Sequence, residues 1–447
     1  MPEVRLSYGR ASLPLEVPEG TEVIEPRMLP GLAHPAAVVR EALASPLGTV
    51  ALADLAPGRR TAGISICDVT RPYPLRTVLP PVLEALAGLQ VTLFVATGSH
   101  RACTSAEMEE MLGRDILAAV EVVQHDARRP DRHRRLGTQP DSGAPIDLEA
   151  EFLEQDLRIT LGLVEPHFFA GFSGGPKMVA PGLASLETIL DLHSPARLAD
   201  PRADWGVTAG NPVHDSIRHA AALAAVHLSV EVTQNRRREV TGVFAGVPAL
   251  AHEAACGAAR GAVMRPVEAP FDVVVATNGG YPLDQNLYQT VKGMSAAAQI
   301  VRPGGAILLA AECSDGFPGH GAYRDLLSAY GGPADFLAAL PRLEPAPDVW
   351  QVMVQAKIQA RARVLLHTGG LTDDEVREAW LEPVADVAEA LRRLLGEAGP
   401  AARVAVLPGG PHVIPYLSGD SGAWGLLGRT TPGARPSGAV RPPGIPG

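Results

Sequence analysis

The segment EPHFFAGFSGGPKMVAPG, residues 165–182, concentrates side chains that can do chemistry. His167 sits among aromatic residues, Ser173, Gly174 and Gly175 make a permissive backbone, and Lys177 follows. Glycine lets the main chain turn through left-handed conformations and lets a bulky ligand come close. A lysine in apolar surroundings loses proton affinity by desolvation and becomes a reactive amine. The plainer alternative is a lysine snorkelling at a helix start. A second histidine, His193, follows in LDLHSPARL. The segment is not a phosphate-binding P-loop, which needs Gly-Lys followed by Ser or Thr; Pro176 separates Gly175 from Lys177, and Met178 follows. No upstream oxyanion loop of the kind that serves a nucleophile elbow accompanies GFSGG.

Three further clusters stand out. CDVTRPYP carries Asp68, Thr70 and Arg71. An arginine there can fork onto a carboxylate or phosphate, or simply close the turn with Asp68. ATGSHRACT sets His100 and Arg101 in a Gly-Ser turn ahead of a helix start, where anions are favoured. A packed or surface histidine is the alternative. TNGGYPLDQNLYQTVKGMSAAA offers Tyr288, Gln289 and Lys292. Gln289 and Lys292 are three apart and share a helix face, able to grip a carboxylate or a cofactor phosphate, or to be ordinary helix surface. His100, His167 and His193 together also suit a metal-dependent hydrolase or lyase. Against it, there is no HExxH and no obvious carboxylate to activate water.

These clusters need elements to hold them in place. Short apolar runs recur, each ending in a Gly-, Asp- or Pro-rich loop before a helical stretch: TAGISIC, VTLFVA, LRITLGLV, FDVVVAT, GGAILLAA and ARVLLHT. The alternation predicts an α/β protein of two α/β domains with mostly parallel sheets, the active site in the cleft between them. In such sheets ligands bind beyond the carboxyl ends of the strands, which is where the clusters fall. The opening EVRLSYGRASLPLEVP predicts a β-hairpin. TSAE at 104–107 predicts a capping box, and LTDDEVREAW a helix with acidic residues at its positive end. The domains read as 1–263 and 271–399, joined by a linker at 264–270. A further strand and loop at 402–417 can return to the first domain, and the Gly/Pro/Ser/Arg-rich tail, 418–447, reads as disordered.

The chain has 447 residues, 46% hydrophobic and 20% charged, with net charge −10. That balance fits a soluble globular protein and argues against nucleic acid as partner. The basic run RRPDRHRR at 128–135 reads as a solvated loop rather than an anion-binding patch. Four scattered cysteines without a CxxC pair argue against a disulfide framework or a structural zinc site. With no secretory signal and no membrane-length apolar run, the expected location is the cytoplasm, away from membranes.

In order, DVTRP, GSHR, EPHFFAGFSGGPKMVAPG followed by His193, and YQTVKG closely resemble the nickel-dependent lactate racemase family. The resemblance runs from the N-terminal hairpin through LPGGPHVIPY. It implies an isomerase, a racemase or epimerase of a 2-hydroxy acid such as lactate. Its cofactor would be a nickel pincer nucleotide, pyridinium-3,5-bisthiocarboxylic acid mononucleotide, made by dedicated biosynthesis enzymes. Carried over residue by residue, Lys177 would form the covalent link and His193 would ligate nickel. His100 and His167 would be the acid–base pair. Asp68, Thr70, Arg71, Ser173, Gly174 and Gly175 would seat the cofactor. Arg71, Tyr288, Gln289, Lys292 and Trp350 would bind or enclose the substrate. The reaction implied is reversible hydride transfer through a 2-keto acid. Pro176 departs from the arginine expected before the lysine, which hints at a subgroup acting on a different 2-hydroxy acid.

Overall fold

TAGISIC forms the strand Thr61–Cys67, buried at every position but the first. A strand covered on both faces has no polar alternation to show, hence its continuous apolar run. It sits inside a six-stranded sheet. From one edge the strands are Val240–Gly246, Leu228–Gln234, Leu157–Leu163, Thr61–Cys67, Gln90–Ala96 and Glu121–Gln124. All pairings are parallel except the first. The helix Leu75–Ala85 buries Leu75, Val78, Leu79 and Val82, the stripe that a 3.6-residue period brings to one side. These side chains share a core with Ile64, Ile66 and Leu93 of the sheet, each adding about 1.5–3 kcal/mol on full burial.

A second six-stranded sheet runs Glu382–Pro383, Arg363–His367, Val301–Ala310, Phe271–Thr277, Val404–Leu407 and Glu22–Val23, parallel throughout. The computed structural model describes residues 2–319, 321–343 and 345–418; the tail beyond Ser418 lies outside the described residues. Among them, no helix is long and apolar enough to cross a membrane.

The expected hairpin is Glu3–Tyr8 with Ala11–Glu16. It packs Val4, Leu6 and Leu15 on the second sheet, with Leu391 and Leu394 of the helix Val387–Ala398. Both expected helix starts are capping boxes, at Thr104 and Thr372. Three readings need correction. Residues 402–417 do not return to the first sheet: Val404–Leu407 pairs with Phe271–Thr277 inside the second, where an all-apolar strand finds cover on both sides. The stretch 264–270 is more than a linker, since Met264–Val267 pairs in parallel with Ile414–Leu417. The basic run is not a plain loop. Pro130–Arg132 forms a turn of 3₁₀ helix and His133–Thr138 a strand paired with Pro145–Glu149.

Candidate active site

In the first sheet the connections reverse direction between Thr61–Cys67 and its neighbour Leu157–Leu163. A crevice opens outside the carboxyl ends at such a point. The loop after the first strand carries Asp68–Arg71; the loop after the second carries Glu165–Lys177. From the second sheet, Phe271–Thr277 leads to the helix Leu287–Ala298, capped by Asn286 accepting from the Gln289 N–H at 3.1 Å. A cleft of about 160 Å³ is lined from both sheets: by Asp68, Thr70, Arg71, His100, His167, Ser173, Gly174, Lys177 and His193, and by Tyr288, Gln289, Lys292 and Trp350. Two residues singled out from the sequence lie off it. Arg101 pairs instead with Glu107 at a helix start, and Gly175 lines a separate cavity behind the loop.

Each histidine has one ring nitrogen committed, which decides what the other can do. His100 Nδ1 lies 2.7 Å from Asp68 Oδ2. Asp68 is ionised: burial alone would raise its pKa, but His100, the Thr70 hydroxyl at 2.6 Å and Arg71 outweigh that and lower it. The carboxylate therefore accepts the Nδ1–H and leaves His100 Nε2 as an acceptor. In His167, Nδ1 accepts the Ala170 N–H at 3.3 Å, so a neutral ring carries its proton on Nε2. Burial first, then Lys177 and Arg71, hold its pKa well below the usual histidine value. His100 thus presents an acceptor nitrogen to the cleft and His167 an N–H donor. His193 donates Nδ1–H to the Ile189 carbonyl at 2.8 Å, and burial pushes its pKa down to about 4. Its Nε2 lone pair is free for a metal, the usual arrangement of a ligating histidine. Phe169 and Trp350 flank the ring, with centroids at 5.3 and 4.7 Å.

Lys177 lies in the short 3₁₀ turn Gly175–Met178. Burial, and secondarily Arg71, push its pKa down to about 7. Much of its population is therefore neutral amine, the nucleophilic form. Lys292 is half-buried, its pKa well below the usual lysine range for the same two reasons, and it donates to Gln289 Oε1 at 2.6 Å. Tyr288 and Trp350 are joined, Nε1–H to the phenol oxygen at 3.1 Å.

Four buried side chains unmarked in the sequence pin the 167–177 loop. Asn211 donates to the Phe169 carbonyl, His214 to that of Ala170 and His252 to that of Ser173, at 2.8, 3.2 and 3.0 Å. Glu231 accepts the Gly175 N–H at 2.9 Å, and burial pushes its pKa up to about 7. Gly175 is compelled: φ is +52° and a Cβ would lie 2.4 Å from the His252 ring. The one signal available was Glu231 itself, a lone acid in the apolar run LSVEVTQ.

Family models for the lactate racemase N-terminal and C-terminal domains match residues 8–206 and 267–415. A lactate racemase of Thermoanaerobacterium thermosaccharolyticum is 33% identical over 433 residues, 93% of this chain and 99% of the relative. One from Lactiplantibacillus plantarum is 34% identical over 383 residues, 84% and 90% of the two chains. The solved T. thermosaccharolyticum apoprotein superimposes with a TM-score of 0.87, covering 93% of this chain and all of that one. A Thermotoga maritima protein, 20% identical, shares the fold at a TM-score of 0.68 over 86% of this chain and 98% of that one.

Proposed function

Because the chain belongs to the lactate racemase family, and so to the isomerases, we propose that it interconverts the enantiomers of lactate or a closely related 2-hydroxy acid. The observation that carries this reading is the pair of histidines facing one cleft in opposite tautomers, one offering a lone pair and the other an N–H. Inverting a carbinol centre needs a proton acceptor for the hydroxyl on one side and a donor for the carbonyl oxygen on the other.

The donor set fits a nickel pincer nucleotide. Lys177 is a half-buried amine with a depressed pKa, suited to an amide-type link, and His193 offers a fixed, unprotonated nitrogen to nickel. When bound, the group supplies a reversible two-electron acceptor for the substrate Cα–H bond. The chain does the rest. His100 Nε2 removes the hydroxyl proton, with Asp68 steadying the imidazolium that forms. His167 Nε2–H donates a hydrogen bond to the carbonyl oxygen of the 2-keto acid, and the imidazolium formed at His100 returns the proton as the hydroxyl re-forms. Such acid–base help is worth about 10²–10⁴-fold. Lys292, Gln289 and Arg71 hold the substrate carboxylate, and the Trp350–Tyr288 pair shields the cleft from water. Seating of the cofactor falls to Asp68, Thr70, Arg71, Ser173 and Gly174, while Gly175, off the cleft, shapes the turn behind them. Pro176 precedes the tether and is where preference among 2-hydroxy acids is expected to differ from the relatives.

The test is co-expression with pincer-cofactor biosynthesis enzymes and nickel, the mass of the Lys177 peptide, and chiral chromatography of L-lactate incubations. A nucleotide-sized adduct and D-lactate formation are expected, both abolished by Lys177→Ala. An unmodified Lys177, where a known lactate racemase loads in the same host, overturns the reading.

A further inference from the structure

The basic run that the cleft leaves unused crosses a second cluster of donors. His125 follows the strand Glu121–Gln124, His133 opens the strand His133–Thr138, and Glu149 ends its partner Pro145–Glu149. One nitrogen from each ring and one carboxylate oxygen lie within 4.8 Å of one another.

The tautomers are fixed from outside the cluster. His125 Nε2 lies 3.0 Å from the Ala184 carbonyl, and His133 Nδ1 lies 2.8 Å from the Arg129 carbonyl. A carbonyl can only accept, so each of these nitrogens carries the proton. A neutral His125 then turns a bare Nδ1 toward Glu149 Oε2, 3.1 Å away. His133 turns in a bare Nε2 that is buried and has no hydrogen-bond partner. Arg132 offsets the carboxylate from one side, but the two nitrogen lone pairs that face it are left without a partner unless a cation lies among the three. Histidines whose far N–H is held by a backbone carbonyl are the pattern of metal ligands.

We infer that His125 Nδ1, His133 Nε2 and Glu149 form a binding site for a divalent transition metal of the zinc class, separate from the cleft. Two imidazoles and a carboxylate are a zinc donor set, leaving a fourth position for water. Zinc–ligand bonds near 2.1 Å place tetrahedral donors roughly 3.3 Å apart, close to the His125–Glu149 spacing. The His133 ring, the most exposed of the three, moves inward to close the set. Arg132 also reaches Glu149, at 3.3 Å to Oε1 and 3.1 Å to Oε2. The carboxylate keeps lone pairs for an ion beside that guanidinium.

The ion would act as a staple. The His125 carbonyl accepts from the Thr97 hydroxyl at 2.8 Å, in the turn that leads to His100. Ala184 and Leu183, which bonds the Glu149 N–H at 2.8 Å, continue the segment that bears Lys177. The cluster joins the His133–Glu149 hairpin to both loops.

The test uses the full chain produced without cofactor biosynthesis enzymes, stripped with chelator and titrated with Co²⁺ or Zn²⁺. Expected are one retained equivalent, the visible absorption of four-coordinate Co²⁺, and a Tm rise of roughly 2–8 °C with Zn²⁺. His133→Ala and the bulkier His133→Gln should each weaken binding by about 100-fold or more while staying folded by circular dichroism. His193→Ala should leave it intact. No retained ion, equal retention by the His133 variants, or loss in His193→Ala overturns the inference. The assay is independent of lactate turnover, so its result and that of the racemase reading stand apart.

Discussion

The two sheet ends that meet at the cleft equip it in different ways. The first presents reactive groups mainly on loops: Asp68 and Arg71, His100, His167 and Lys177. The second presents Tyr288, Gln289 and Lys292 on one turn of a capped helix. The loops are not slack. Asn211, His214, His252 and Glu231 bond successive main-chain groups of the lysine loop, and Asp68 and the Ile189 carbonyl fix the proton on His100 and His193. A group that exchanges protons or binds a metal must have its tautomer set, and that takes a dedicated partner. A group that holds a carboxylate needs charge and a face, which a helix supplies from sequence spacing alone.

If this division is right, variants on the two sides differ in kind. The largest loss is expected on the loop side. His100→Ala and His167→Ala should each lower kcat by about 10²–10⁴-fold with cofactor loading intact, by stopped assays in both directions. An equal loss of loading would mean that these rings seat the cofactor instead. On the helix side, Lys292→Met should raise KM for lactate by about 10- to 100-fold, the worth of one charged hydrogen bond, with a smaller change in kcat. A pure kcat effect would break the comparison. Glu231→Leu leaves the Gly175 N–H without its acceptor, a loss of about 1–3 kcal/mol. Slower loading of Lys177 is expected, with loading restored in Glu231→Gln, whose amide oxygen still accepts; equal rates in both would show that the loop needs no such anchor. The smallest effect is one of pH. A lysine with a depressed pKa is protonated below it and reactive above it. Labelling of Lys177 in apoprotein by an amine reagent should therefore rise with pH and reach half its maximum near pH 7. A midpoint near 10 would put the amine in water.

The strands were legible because each is an unbroken apolar run ending in Gly, Asp or Pro. TAGISIC and FDVVVAT fall on Thr61–Cys67 and Phe271–Thr277. Leu228–Gln234 and Val240–Gly246 escaped notice, since Glu231 and the RRR between them mask the pattern. The loop residues lining the cleft were legible as motifs because their loops have an unusual composition, and Gln289 and Lys292 because their spacing puts them on one helix face. Their supports were not: His214 and His252 sit in helices of ordinary composition, and only the packing of those helices brings them to the loop. The fate of 402–417 was open for a related reason. An apolar strand states that it will be buried, not in which sheet.

The edge of the second sheet carries a consequence for synthesis. Glu22 pairs with Ala405, and the hairpin Glu3–Tyr8/Ala11–Glu16 rests on the same sheet. Glu22 and Val23 therefore wait for Ala405 and Val406, made much later, before they find a place. Until then Val4, Leu6 and Leu15 have no sheet to cover, while the first sheet, complete by Gly246, can already assemble. Assembly is asymmetric in time: the sheet that carries the lysine loop can form early, and the second sheet needs segments made both before and after it.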